Sequence, residues 1–100
     1  MIQSKKELFE TIINNSQIIK GFGVSSIGVF GSFSRNEMKE ASDVDFLVEF
    51  EPSRKSYKNL FKLHEFLTIL TGRKVEILTH KALSKFIGPH ILKEVENVPI

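Results

Sequence analysis

The chain has 100 residues, enough for one domain with a single hydrophobic core and too few for two. Hydrophobic residues make up 41% and charged residues 26%, a balance typical of a folded globular protein rather than a disordered one. The net charge of +2 is too small to indicate a nucleic-acid-binding protein by itself, and the lack of cysteine excludes disulfides and thiolate-bound zinc.

The N-terminal part of the chain predicts a helix followed by a short strand. Residues Ser4–Glu7 have the form of a capping box, and apolar residues recur behind them at helical spacing until Gly21 and Gly23 interrupt the pattern. Residues Val24–Phe30 have strand character and end at a Gly-Ser pair. Residues 33–42 are mostly polar and predict a brief helical turn followed by a loop.

The strongest strand pattern in the chain covers residues 43–50. Side chains alternate between the two faces of a strand, and here one face is apolar throughout. The apolar face consists of Val44, Phe46, Val48 and Phe50. Because this face must point into the core, we expect Asp43 and Asp45 to lie together on the opposite face.

The C-terminal half predicts a helix, a strand and a second helical region. Apolar residues at helical spacing over residues 57–70 predict a long helix that Gly72 can terminate. Residues 74–79 read as a third strand. A final helical region covers about 81–95 and is interrupted at Gly88–Pro89.

The element order, α-β-(α)-β-α-β-α, indicates an α/β (α+β) fold in which a small mixed sheet has helices covering one face. No linker divides the chain, so we expect residues 1–100 to form a single domain. No apolar run approaches the length of a membrane span, and Met1–Glu7 do not resemble a secretory signal. These features predict a cytoplasmic protein.

The clearest chemical signal is a Gly31–Ser32 turn followed, after the ten residues 33–42, by Asp43 and Asp45. Two carboxylates one residue apart on a strand point the same way and can share divalent ions such as Mg²⁺, which prefers oxygen ligands. Glycine lets the backbone approach a phosphate closely, and the Ser32 hydroxyl adds a donor. Together these residues predict transfer of a nucleotidyl group from a nucleoside triphosphate, with two Mg²⁺ ions, or Mn²⁺, in the site.

Glu76 and Arg35 are the other candidate site residues. Glu76 lies mid-strand among apolar residues, where an unpaired charge is costly, so it is the best candidate for a third acidic ligand. Its alternative role is a salt bridge to Arg73 or Lys74. Arg35 can either reach phosphate oxygens or pair with Glu37.

The remaining notable side chains are interpreted as structural. The three histidines lack ligand-like spacing, and His64 lies on the apolar stripe of its helix, so we expect it to be packed or hydrogen-bonded. Tyr57 is expected in the core. The basic residues between 54 and 62 are interpreted as a solvated face rather than a nucleic-acid surface.

The sequences Gly-Ser-Phe-Ser-Arg at 31–35 and Ser-Asp-Val-Asp-Phe-Leu-Val at 42–48 resemble the minimal nucleotidyltransferase domains of the DNA polymerase β-like superfamily. The resemblance covers nearly the whole chain, because Val75–Leu78 stand where those proteins carry a third acidic strand. It implies metal-binding and catalytic roles for Asp43, Asp45 and Glu76. It implies nucleotide-binding roles for Gly31, Ser32 and Arg35. Two positions differ from the family's usual pattern: Asn36 stands where Gly is often found, and Glu76 replaces Asp.

The resemblance also implies a function. Similar small proteins are commonly encoded beside a HEPN-domain ribonuclease toxin and act as its antitoxin, moving AMP from ATP onto a tyrosine of the toxin. We therefore expect a protein adenylyltransferase that uses ATP and has a HEPN-type toxin as its partner, without nucleic acid as a direct substrate. The alternative is an antitoxin that neutralises its partner by occlusion, without catalysis.

Overall fold

The computed structural model describes all residues from Met1 to Ile100 and contains five α-helices and four β-strands. In chain order these are α1 (Lys5–Asn14), α2 (Ser16–Gly21), β1 (Val24–Phe30), α3 (Gly31–Ser34), β2 (Val44–Phe50), α4 (Tyr57–Thr71), β3 (Val75–Thr79), α5 (Gly88–Glu94) and β4 (Glu96–Val98). Short 3₁₀ turns at Pro52–Arg54 and His80–Ala82 precede α4 and follow β3. None of the helices combines the length and apolar character that crossing a membrane requires.

Local sequence signals fix the ends of the two longest helices. Ser4 accepts a hydrogen bond from the Glu7 amide at the start of α1, and Ser56 accepts one from the Asn59 amide at the start of α4. At its other end α4 stops at Gly72, whose φ of 68° is left-handed and costs glycine little. The Ser4 cap and the glycine stop predicted from the sequence are therefore confirmed, whereas the Glu7 carboxylate accepts from the Gln3 amide instead of completing the capping box at Ser4.

The four strands form one mixed sheet in the order β3-β2-β1-β4. Strand β2 pairs antiparallel with β1 and parallel with β3, and β4 pairs antiparallel with the other side of β1. This register sets Asp45 beside Phe30 of β1 and beside Glu76 of β3. Directly paired residues point to the same face of a sheet, so Asp45 and Glu76 share one face.

The main hydrophobic core lies between the other face of the sheet and helices α1, α2 and α4. Val44, Phe46 and Val48 of β2 are fully buried there, as the alternation predicted. Burying a side chain of this size stabilises the fold by about 1.5–3 kcal/mol. The same alternation therefore holds the two aspartates away from the core.

Helix α5 and the segment before it partly cover the face that carries the aspartates. Ile91 of α5 packs with Phe30 and Leu47 in a second, smaller apolar cluster. The predicted mixed sheet covered by helices is confirmed, and α5 adds a partial cover on the second face that the sequence pattern did not predict. Leu47 lies on the same face as Asp45 and is 3% exposed, so this face also needs an apolar cover. Because α5 provides it, the end of α5 lies beside the carboxylates.

Three local features also differ from the sequence-based expectations. The first helix is divided at Asn15, whose side chain donates to the Thr11 carbonyl at 2.8 Å and whose own backbone leaves the helical region. The C-terminal region ends in β4, which the sequence pattern did not predict. Tyr57 is 91% exposed rather than buried, because it is the first residue of α4 and lies outside the core.

Candidate active site

Four carboxyl groups converge at one end of the sheet. Asp45 and Glu76 come from neighbouring strands, and Asp43 lies one residue before β2. The fourth is Glu94, the last residue of α5. The charges of Asp43, Glu76 and Glu94 all act on Asp45. The structure thus brings together the three acidic residues singled out from the sequence, and it adds Glu94.

Asp45 is the most strongly perturbed acid of this group. Burial is the main cause of its raised pKa. The protonated Asp45 carboxyl can also donate a hydrogen bond to Glu76, and the neighbouring negative charges disfavour its ionisation, so the pKa of Asp45 is raised to about 6. None of the chain's ion pairs involves Asp43, Asp45 or Glu76. The expected alternative, a salt bridge from Glu76 to Arg73 or Lys74, is therefore not formed.

This donor set fits a metal that is shared with the substrate rather than a closed metal cage. No three Asp, Glu or His side chains are arranged closely enough to hold an ion by themselves. Mg²⁺ commonly takes one or two carboxylates and completes its coordination shell with phosphates and water. Asp43 and Asp45, with Glu76 beside them and no basic side chain neutralising them, offer such a partial set of oxygen ligands.

The Gly31–Ser32 turn lies directly against Asp45. Gly31 has a φ of 73°, a left-handed conformation that glycine adopts far more readily than other residues. A β-carbon at this position would collide with Oδ2 of Asp45. Glycine is therefore required here both for its backbone conformation and for space. The predicted phosphate-binding turn and the predicted acidic pair are immediate neighbours.

The side chains in and after the turn differ in how many hydrogen bonds they make within the protein. The Ser32 hydroxyl is partly exposed and makes no hydrogen bond within the protein, whereas the Ser32 carbonyl accepts from the Glu37 amide at 2.8 Å. Arg35 donates through Nε to Glu37 at 3.1 Å and through Nη1 to Glu94 at 2.9 Å. Asn36 follows with a φ of 56°, a left-handed conformation that asparagine and glycine adopt more readily than other residues.

Glu94 accepts hydrogen bonds from two groups of this turn. One of its oxygens, Oε1, accepts from the Gly31 amide at 2.9 Å, and the other, Oε2, accepts from Arg35. Burial alone would raise the pKa of Glu94, but the bonds from Gly31 and Arg35 outweigh it and lower the pKa. Glu94 is therefore ionised at neutral pH.

Sequence reasoning missed Glu94 and the residue that anchors it. Ser34 donates from Oγ to the Glu94 carbonyl at 2.5 Å, which ties the end of α5 to α3. The one sequence signal was spacing, because Glu94 follows Ile91 by three residues and so lies on the same side of a helix. This spacing points to Glu94 only once it is known that Ile91 packs on the face of the sheet that carries Asp45.

His64 has the structural role expected from the sequence. Its Nε2 lies 2.8 Å from the Val75 carbonyl, so the ring links α4 to the edge strand β3. Arg73 is also structural, since its guanidinium is buried and bonded to backbone carbonyls rather than to Glu76.

Comparison with known proteins agrees with this geometry. The chain matches the nucleotidyltransferase domain family over residues 12–98. Protein adenylyltransferase MntA of Thermococcus cleftensis is 40% identical over 94 residues, which cover 92% of this chain and 94% of that protein. A solved structure described as a minimal nucleotidyltransferase is 28% identical with a TM-score of 0.81, covering 98% of this chain and 97% of the other. A toxin–antitoxin crystal structure with AMP-PNP shares the fold at 16% identity, with a TM-score of 0.72 and coverage of 91% and 72%. The chain therefore belongs to the nucleotidyltransferase domain family, among its minimal, MntA-like enzymes.

Proposed function

We propose that the protein transfers AMP from ATP to a hydroxyl group of a partner protein and acts as an antitoxin. The observation that carries this proposal is the direct contact between the Gly31 turn and Asp45, which sets a phosphate-binding element against a group of carboxylates. The MntA relative, named as a protein adenylyltransferase, supports a protein acceptor. The toxin–antitoxin complex with AMP-PNP shows that the same fold occurs in such a system.

The proposed roles of the residues follow from their positions. Asp43 and Asp45, with Glu76 as the third carboxylate, would hold two Mg²⁺ ions, or Mn²⁺, whose charge offsets that of the triphosphate and polarises the reacting oxygens. The Ser32 hydroxyl would donate to a phosphate oxygen, since it has no partner within the protein. Gly31 and Arg35 would contribute an amide and a guanidinium to the same phosphates.

The proposed reaction is a single displacement at the α-phosphorus of ATP. The acceptor oxygen forms a bond to this phosphorus, the bond to the oxygen bridging to the β-phosphate breaks, and pyrophosphate leaves with the electron pair. The hydroxyl proton passes to a carboxylate of the site, for which Glu76, the third carboxylate beside the two aspartates, is the candidate.

The proposed acceptor is a tyrosine of a HEPN-type toxin. Toxin–antitoxin structures that share this fold support a folded protein as the acceptor. A tyrosine hydroxyl has a pKa of about 10 and can be activated in such a site. AMP on the toxin would add bulk and negative charge where RNA must bind, and would thereby silence it. Such a role would place the protein in the cytoplasm.

Intact-mass spectrometry of the partner tests this function. The protein, ATP and Mg²⁺ are mixed with the product of the neighbouring gene, and we expect the partner to gain the mass of one or more AMP groups. Asp43→Asn should abolish the gain, whereas Glu10→Gln, on an exposed position of α1, should not. A partner that stays unmodified yet is inhibited at stoichiometric mixing, with or without ATP, would overturn AMP transfer and support occlusion instead.

A further inference from the structure

Two of the groups proposed to bind the triphosphate already have an anionic partner within the chain. The Gly31 amide donates to one carboxylate oxygen of Glu94, and the Arg35 guanidinium donates to the other, both at 2.9 Å. One carboxylate therefore binds two donors through two oxygens, as a phosphate group would. Glu94 occupies the position that a phosphate must take in order to use the same donors.

We propose that Glu94 is a resident anion of the triphosphate-binding turn, which the triphosphate displaces when it binds. This inference rests on the proposed function, because it concerns the same nucleotide site. In the free protein Glu94 satisfies the buried Gly31 amide and neutralises part of the charge of Arg35. In the complex a phosphate takes over both donors, and the Glu94 side chain turns away.

The structure allows this displacement without movement of the backbone. The Glu94 carbonyl is fixed by the Ser34 hydroxyl at 2.5 Å, and α5 is held on the sheet by Ile91, which packs on Phe30 and Leu47. The Glu94 side chain is 28% exposed, so solvent is already within its reach. Rotation about its own side-chain bonds is sufficient to release the two donors.

Electrostatics require that Glu94 moves. Asp43, Asp45 and Glu76 already contribute negative charge to the site, and Glu94 adds to the field at Asp45. If Glu94 did not move, the triphosphate and the Glu94 carboxylate would be two anions in contact. They would compete for the Gly31 amide and the Arg35 guanidinium, which can bind only one of them at a time. Glu94 therefore competes with the nucleotide and weakens its binding. If Glu94 only held Gly31 and Arg35 in position for the nucleotide, it would instead strengthen nucleotide binding.

Calorimetric titration separates these two roles, because they predict changes of opposite sign. Wild type, Glu94→Gln and Glu94→Ala are titrated with Mg²⁺–ATP and with Mg²⁺–tripolyphosphate, which contains the phosphates without the nucleoside. We expect both variants to bind both ligands about tenfold more tightly, corresponding to about 1.4 kcal/mol. Glutamine keeps the size of the side chain and an acceptor for the Gly31 amide, so its gain isolates the effect of charge.

A matched control is available two residues further along the chain. Glu96→Gln removes the same charge, but the Glu96 carboxylate pairs with Lys5 at 2.5 Å and makes no hydrogen bond to the Gly31–Ser32 turn or to Arg35. We expect its affinity for both ligands to equal that of wild type. In an Arg35→Ala background the gain from Glu94→Ala should shrink, because one of the two contested donors is then absent. Thermal melting confirms that each variant is folded.

Each result has a defined meaning. Weaker binding by folded Glu94→Gln would overturn the inference and make Glu94 a fixed positioning residue, and unchanged binding would also overturn it. An equal gain in Glu96→Gln would assign the effect to overall charge and reject it as well. These three outcomes leave the proposed function intact, whereas failure of wild type to bind Mg²⁺–ATP would overturn both. If Glu94→Gln and Glu94→Ala do not fold, Glu94→Asp, too short to reach both donors, should show the gain, and its absence would reject the inference.

Discussion

The ionised carboxylate of Asp45 destabilises the folded protein. Its pKa is raised from 3.8 to about 6 in the folded protein, first by burial and then by Glu76 and the other nearby acids. The folded state therefore binds a proton more tightly than the unfolded state does. Stability contributed by this group is greatest below pH 3.8, falls as the pH rises through about 6, and stays low above it.

Replacing Asp45 by asparagine should therefore stabilise the metal-free protein at neutral pH while abolishing transfer. The free energy of unfolding at pH 7.5 should rise by about 1–2 kcal/mol, a value reduced from the full pKa shift because solvent screens the half-buried group. At pH 3.5 the two proteins should differ much less. Urea denaturation with a chelator present, at both pH values, measures the difference, and an equal or lower stability of the variant at pH 7.5 would contradict this account.

Gly31 should tolerate no side chain. In Gly31→Ala the β-carbon would stand in a left-handed conformation and collide with Asp45, so we expect a loss of about 1–2 kcal/mol in stability and a large loss of nucleotide use. Gly21→Ala is the matched control, because a β-carbon there meets open space at the end of α2. Its stability should be unchanged or slightly higher. Denaturation curves and ATP-dependent rates for both variants test the prediction, and normal rates in Gly31→Ala would refute it.

At the scale of elements, one buried arginine holds the segment that connects the Gly31–Ser32 turn to the Asp43 and Asp45 pair. Arg73, just before β3, donates through Nη1 to the carbonyls of Lys39, Glu40 and Ser42 at 2.9–3.0 Å. Through Nε it also donates to Ile2 at 2.6 Å. These carbonyls lie in the segment that leads from α3 to β2. Arg73 thus holds in place the residues that lead directly into Asp43 and strand β2.

Replacing Arg73 by lysine should loosen the segment between α3 and β2. We expect Arg73→Lys to lower the free energy of unfolding by about 2–4 kcal/mol, because a lysine ammonium cannot reproduce the spread of a guanidinium and leaves carbonyls without a donor. Lys74→Met, at the exposed neighbouring position, should change stability by less than about 0.5 kcal/mol. Chemical denaturation of both variants gives the comparison. Similar stabilities would mean that water replaces the arginine at little cost.

The elements that could be predicted are those with a local signal. Strand β2 was predictable because the alternation of Val44, Phe46 and Val48 alone determines which side faces the core. The position of Glu76 beside Asp45 depends on the register of β2 and β3, which no local pattern gives, and the family resemblance supplied it. The position of helix α5 on the sheet could not be predicted, because a seven-residue helix has too little periodicity to show which face of the sheet it covers.

At the scale of the whole molecule, a net charge of +2 conceals a strong local imbalance. Four carboxyl groups meet at one end of the sheet, and only Glu94 among them has a basic partner. The site is therefore repulsive to a free triphosphate although the protein as a whole is slightly basic. The two divalent cations proposed for the site would offset this local charge, so the ligand that the folded protein accepts should be the metal–nucleotide complex.

Binding of Mg²⁺–ATP should consequently stabilise the entire fold, and only when the metal is present. The proposed ligand groups come from α3, β2 and β3, so global unfolding destroys the site and the ligand binds the native state alone. At a ligand concentration one hundred times Kd this stabilises the protein by about 2.7 kcal/mol. For a domain of this size, that free energy raises Tm by roughly 10–20 °C. Differential scanning calorimetry with ATP in excess Mg²⁺, and again in excess EDTA, tests the dependence. The shift should vanish in EDTA and in Asp43→Asn, since either change leaves the triphosphate facing carboxylates without a shared cation, and a full shift in EDTA would show that the acidic residues do not bind nucleotide through a metal.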